Sequence, residues 1–267
     1  MNDFVLLDGA IWRDSQRFDA LMGAANAIPL YADLPSSNAS QLGPWLLDVD
    51  AFCACVPGDE ASSLPWRCGL SRLSTEASRT DVAMHLESQR GIAMAEGDRY
   101  YLRYADTRAL DGLVRVLTDE QKQQLKGPVA RWHYLDRFGR EREFGAGLSA
   151  DPRRHGGIVL SAEQSARLLE QQLTGTLAEY LETGRDGSGQ CCLSSSQYEH
   201  VEASVAFVLK HGIEPLEVQR HVAAVAVETD GAVFTDARFL ARVDSLCVSE
   251  RWQELIAWRG ASTNSGA

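Results

Sequence analysis

The sequence contains no run approaching the roughly 20 consecutive apolar residues that a membrane-spanning helix needs. Its opening residues, Met1-Asn-Asp-Phe-Val-Leu-Leu-Asp8, carry no basic segment, and their apolar run is too short for a secretory signal. Membrane insertion is not expected, and the cytoplasm is the expected compartment. Positive charge is also scarce: 26 Lys and Arg stand against 37 Asp and Glu, a net charge of −11. Phosphate-directed binding needs a basic footprint, so nucleic acid is not an expected partner.

Ligand and catalytic patterns are missing as well. Zinc sites show paired cysteine or histidine arms, typically C-x₂₋₄-C. The six cysteines fall instead as Cys53-x-Cys55, Cys68, Cys191-Cys192 and Cys247. They read as reduced, structural thiols. The histidines show neither H-x₃-H nor H-E-x-x-H spacing, and there is no P-loop, G-x-S-x-G or G-x-G-x-x-G. No metal site and no cofactor are expected.

What is present is a globular composition, with 45% hydrophobic and 24% charged residues in 267. That length suits one large domain or two lobes. The first part alternates strand-like and helix-like stretches. Phe4–Leu7, Trp45–Val49 and Gly69–Leu73 read as apolar strands, and Phe18–Ala27 as a helix stopped by Pro29. Thr80–Gln89 reads as a helix capped by Ser78 with Asp81. Gly97-Asp98 separates Ile92–Ala95 from Tyr100–Tyr104 as a hairpin turn. Asp106 is placed to cap a helix carrying Leu110, Leu113, Val114 and Leu117. Thr118 with Gln121 forms another capping box, Gly127-Pro128 ends that helix, and Arg131–Phe144 reads as a hairpin around Phe138-Gly139.

Breakers crowd residues 145–160, where Gly145, Gly147, Asp151-Pro152 and Gly156-Gly157 place a lobe boundary. The expected architecture is an α/β N-terminal lobe, residues 1–150, with a mixed sheet and flanking helices. An all-α C-terminal lobe, residues 151–267, follows. Its helices carry the stripe Ala166, Leu169, Leu173, Leu177, Tyr180, then Val201, Val205, Val208 behind a Ser196–Glu199 cap. Val218, Val222, Val225 follow a first-turn Pro215, then Phe239, Leu240, Val243, Leu246, then Trp252, Leu255, Ile256. Gly184–Gly189 reads as a loop and Ala261–Ala267 as a polar tail. Residues 160–267 hold 8 basic and 15 acidic side chains, net −7, against 18 and 22, net −4, in residues 1–159. The more acidic lobe favours a basic or amphipathic partner.

Several short motifs follow one another along the first part of the chain: Leu7-Asp-Gly-Ala10, Leu30-Tyr-Ala-Asp-Leu34, Gly43-Pro-Trp-Leu-Leu47, Gly69-Leu-Ser-Arg-Leu-Ser74, His85-Leu86, and Leu102-Arg-Tyr-Ala-Asp106 with Arg108. Over roughly residues 3–132 this order resembles the adaptor-chaperones encoded beside type VI secretion spike (VgrG) genes, the Tap or TEC proteins. Glu87 stands where that family often has Arg, and Asp106-Thr107-Arg108 where it often has Asp-Pro-Arg. The resemblance implies a cytoplasmic factor that binds the N-terminal region of a toxic effector and helps load it onto the VgrG spike. It implies no catalysis.

Candidate binding residues follow. Arg103 and Arg108 could recognise a partner, although Asp106 as a helix cap paired with arginine explains their spacing better. Tyr31 belongs to the second motif. Trp12 and Trp258 sit in polar local sequence, and exposed aromatics are enriched at interfaces. Trp45 and Trp66 read as core, and His85 as a hydrogen-bonded histidine on a short helix. Two alternatives stay open: an immunity-type toxin-binding protein, and a hydrolase using His85 with Asp48 or Asp106.

Overall fold

The strand Asn2–Asp8 (β1) has two apolar faces, with Phe4 and Leu6 on one side and Val5 and Leu7 on the other. Side chains alternate across a strand, so such a strand belongs in a sheet covered on both sides. The computed structural model puts it there. It describes residues 1–23, 27–34, 38–57, 66–145, 157–183, 193–249 and 251–258.

By its internal contacts the chain divides into two compact units, Met1–Leu168 and Leu169–Ala267. The boundary expected at residue 150 lies outside the described residues. The first unit reaches further because Ile158–Val159 (β9) pairs with Gly91–Ala93 (β5), and Ile158 and Leu160 are buried in its core.

In the first unit, β1 is followed by Gly9–Trp12 (α1), Phe18–Met22 (α2), Ile28–Pro29 (β2), Ala39–Leu42 (α3), Pro44–Asp48 (β3) and Val49–Cys55 (α4). A 3₁₀ turn, Trp66–Gly69, leads into Leu70–Thr75 (β4), then Arg79–Ser88 (α5), β5 and Arg99–Tyr101 (β6). Thr107–Val116 (α6), Asp119–Lys126 (α7), Arg131–Leu135 (β7), Glu141–Glu143 (β8) and β9 complete it. The main sheet has the order β2-β3-β1-β4-β7-β8 and is antiparallel at every pairing. A second sheet, β6-β5-β9, supplies the parallel pair. One core joins Phe4, Leu6, Leu46, Leu73 and Trp132 to Ile92, Leu110, Leu113 and Leu125. The opposite face of the main sheet packs Val5, Leu7, Trp45 and Leu47 against Trp12, Leu21 and Phe52.

The unit beginning at Leu169 is helical, as expected. It contains most of Ala162–Glu182 (α8), then Ser195–Lys210 (α9), Leu216–Glu228 (α10) and Ala237–Ser249 (α11), with 3₁₀ turns at Ala232–Thr235 and Trp252–Leu255. Val208, Val218, Val222, Phe239, Val243 and Leu246 are buried together, and Leu177, Val201 and Val205 form a neighbouring cluster.

Local signals set most ends. Ser78 accepts from the Asp81 backbone N–H, Thr118 and Gln121 form a reciprocal capping box, and Ser161 with Gln164 does the same ahead of α8. Gly97 and Gly139 take positive φ at the two hairpin turns. Four details differ from the sequence expectations. The helix α2 ends at Met22, and Pro29 lies in the outermost strand of the main sheet, where a missing N–H costs no ladder bond. The cap of α9 is Ser194 with Gln197, two residues before the expected Ser196. Leu193 and Tyr198 pack in the same cluster as a hydrophobic staple, which selects the earlier serine. Pro215 caps α10 rather than occupying its first turn. On α8, Ala166 and Leu169 are exposed while Ser165, Thr174, Leu177 and Ala178 are buried. Ser165 accepts a hydrogen bond from the Ala95 N–H at 3.1 Å, which turns that end of the helix inward by a polar residue. The Gly184–Gly189 loop, Cys191-Cys192 and the 261–267 tail lie outside the described residues.

The end of α7 is tightly determined. Gly127 has φ +53°, and a Cβ there would lie 2.1 Å from the His85 ring. Positive φ costs a side-chain-bearing residue about 1–3 kcal/mol, and the ring must also move. Gly127→Ala is therefore expected to lower unfolding stability by about 2 kcal/mol or more. Urea denaturation checks this, and a loss below about 0.5 kcal/mol, the range of an ordinary surface change, would contradict it.

Candidate functional site

The motifs that are scattered in sequence meet in space. The side chain of Asp8, at the end of β1, accepts from the Ile11 N–H at 3.0 Å and so caps α1. The next residue, Gly9, donates its N–H to the Gly43 carbonyl at 3.0 Å. Neither glycine leaves room for a side chain. A Cβ on Gly9 would lie 2.1 Å from the Gln41 carbonyl oxygen, and one on Gly43 would lie 2.6 Å from that of Ala39. Tyr31 packs against Gly43 and donates its hydroxyl to the Leu102 carbonyl at 2.6 Å. Asp8, Tyr31, Leu42, Gly43, Leu102 and Arg103 thereby line a cleft of about 260 Å³.

Behind the cleft lies Asp106, 3% exposed. Its carboxylate accepts from the backbone N–H of Arg108 at 3.1 Å, capping α6, and from the Arg108 side chain through Nε and Nη2, both at 3.0 Å. Arg103 reaches the same carboxylate at 3.1 Å. Such charge-assisted, forked pairs are the strong class of hydrogen bond. Asp8 is in a different position: burial, and then the negative charge of Asp106, push its carboxyl above the ordinary range, while Arg103 opposes them. Burial likewise raises Tyr31 and Tyr104. A chain of ring contacts leads inward from exposed Tyr101 to Tyr31, Tyr104, Trp132 and Phe144, with centroids 5.2 to 6.4 Å apart.

The structure thus brings together Tyr31, Arg103, Arg108 and Asp106 among the residues singled out in the sequence. It does not add Trp12. That residue was expected at the surface from its polar neighbours, but it is fully buried, with Nε1 donating to the Gly69 carbonyl at 3.2 Å and its ring 5.6 Å from Trp66. Trp258 belongs to the helical unit, half-buried against Phe239 at 4.8 Å. Trp45 is buried and Trp66 half-buried in the core around Phe52. The Nε2 of His85 lies 3.1 Å from the Leu125 carbonyl, while Asp48 pairs with Arg79. Sequence reading passed over Asp8 as a member of the cleft. Its signal was an acid placed between an apolar strand and a glycine, where it must cap a helix start close to the sheet.

Among the described residues, no three His, Cys, Asp or Glu side chains converge as metal ligands. No described helix is long and apolar enough to cross a membrane. The site offers buried carboxylates held by arginines and backbone amides, beside exposed tyrosines.

The raised Asp8 sets a pH dependence. The folded chain holds that proton more tightly than the unfolded chain, whose carboxyl titrates near 3.8. Its contribution to stability is therefore lost as pH rises from the ordinary carboxylate value through the raised folded one. Asp8→Asn keeps a capping side chain but has no proton to lose. Wild type is expected to lose stability relative to Asp8→Asn as pH rises from about 3.5 to 7. Chemical denaturation across that range checks it, and a flat difference would refute it.

Searches of curated proteins and of solved structures return no match. Residues 4–124, a little under half of the chain, match the family model described as a domain of unknown function (DUF4123).

Proposed function

We propose that this protein is a type VI secretion adaptor: it binds the N-terminal region of a cognate toxic effector in the cytoplasm and helps load it onto the VgrG spike. The observation that carries this reading is the match over residues 4–124, a domain that occurs in type VI effector chaperones. Every motif on which the resemblance rests, from Leu7-Asp-Gly-Ala10 to Arg108, lies inside that stretch. The geometry supports the same reading. The polar motif residues are occupied in holding the fold, with Asp8 and Asp106 capping helices, Arg108 and Arg103 on Asp106, and Tyr31 on a carbonyl.

In this reading the chain catalyses nothing and uses no cofactor. It works by presenting surface, with burial of apolar area supplying affinity and charge setting specificity. Its partners are proteins, and neither nucleic acid nor membrane insertion has a part.

The test is co-purification of the tagged chain with the products of its neighbouring genes, followed by sizing and an export assay. A stable complex with a toxin-like neighbour is expected. Deleting this chain should stop export of that toxin and leave the toxin active. Neutralisation of the toxin would assign an immunity protein instead, and recovery of no neighbour under gentle conditions would overturn the adaptor reading.

A further inference from the structure

The helix α4 covers only part of one face of the main sheet. It packs on β1 and β3 through Phe52, over Val5 and Leu47. Further along the same face, the register aligns Asp3, Ser74 and Arg131 in one row and Val5, Arg72, His133 and Glu143 in the next. Past Leu70, which packs beside Trp12 of α1, the residues of this face Arg72, Arg131 and Glu143 are exposed. What lies there is a groove of about 550 Å³. Its apolar floor and near wall include Val5, Val49, Phe52, Leu70 and Leu135, and Cys53 on α4 faces it.

The dimensions suit one occupant. Neighbouring strands are about 4.8 Å apart, so the span from β1 to β8 is about 14 Å. A helix with its side chains is about 10 Å across and packs about 10 Å from the next one. A helix laid beside α4 would therefore centre over β4 and β7, where the groove is. The five residues of β7 span about 17 Å, the length of about 11 helical residues.

Charge narrows the choice. Asp3 is already held by Ser74 and by Arg72, the latter at 3.3 Å, and His133 lies 3.4 Å from Glu141. Arg131 is exposed and has no acidic partner among the described residues. In a chain of net charge −11, this wall offers an unmatched cation.

We propose that this groove docks one amphipathic helix of the effector, about three turns long, whose apolar stripe lies on Val5, Phe52, Leu70 and Leu135 and whose acidic flank meets Arg131. Apolar anchors at i, i+3, i+4 and i+7 are the usual signature of helix-in-groove recognition. The inference rests on the adaptor reading above and adds to it the face used and the kind of segment bound.

The test uses the full chain, alone and in complex with the effector that co-purifies with it. Cys53 and Cys247 are both exposed and free, so alkylation by N-ethylmaleimide, read peptide by peptide, reports on the groove with Cys247 as internal reference. The expected result is at least tenfold slower alkylation of Cys53 in the complex with Cys247 unchanged. Arg131→Glu should weaken effector binding by about tenfold at an unaltered melting temperature, and Arg131→Gln by less. If the complex forms while Cys53 reacts at the free rate and Arg131→Glu binds like wild type, the groove is not the docking face and the adaptor reading survives. Protection of the β8 amides with Cys53 still reactive would assign an added strand and overturn the helix. Concentration-dependent protection of Cys53 in the chain alone would assign a second copy, with the same consequence. Failure of the wild-type chain to bind any effector would overturn both readings.

Discussion

The first unit depends on the close approach of two backbones at Gly9 and Gly43. The hydrogen bond between them ties the end of β1 to the turn before β3, and no side chain fits at either position. Asp8 and Pro44 are registered against each other by the same approach. Tyr31 leans on Gly43 and carries the connection to Leu102, whose neighbour Arg103 reaches Asp106. The sequence motifs are thus successive links of one backbone-centred junction. That explains why glycines, caps and apolar residues make up so much of them.

The polar groups of this junction and of the neighbouring helices are engaged within the fold. Here Asp106 is consumed by two arginines and a helix start, and His85 lies against a carbonyl and fills the space beside Gly127. Exposed surface lies elsewhere, at Tyr100 and Tyr101 near the cleft and on the partly covered face of the main sheet.

Much of the fold was legible in the sequence because its signals are local. Asp106, Thr118, Ser78 and Ser161 cap helices with partners two or three residues away, and Gly97 and Gly139 mark hairpin turns. Where the sequence misled, the deciding partner was remote. Trp12 is followed by Arg13 and Asp14 and so reads as exposed, yet its indole binds a carbonyl 57 residues away. Pro29 looks like a helix stop until β3 is seen beside it. The cleft was legible only in pieces: each motif could be seen, but Asp8 and Asp106 become neighbours only through the sheet. The groove left almost no trace, because its rows combine single residues from four strands.

The fit of His85 against Gly127 has a consequence for how such sequences can change. The imidazole occupies the volume that any side chain at 127 would need. A larger residue at 127 is admissible only in a background where position 85 has already become smaller, and even then one tolerant of the left-handed backbone is required. Mutational paths through this pair are therefore ordered, and the two positions constrain one another across generations as well as across the fold.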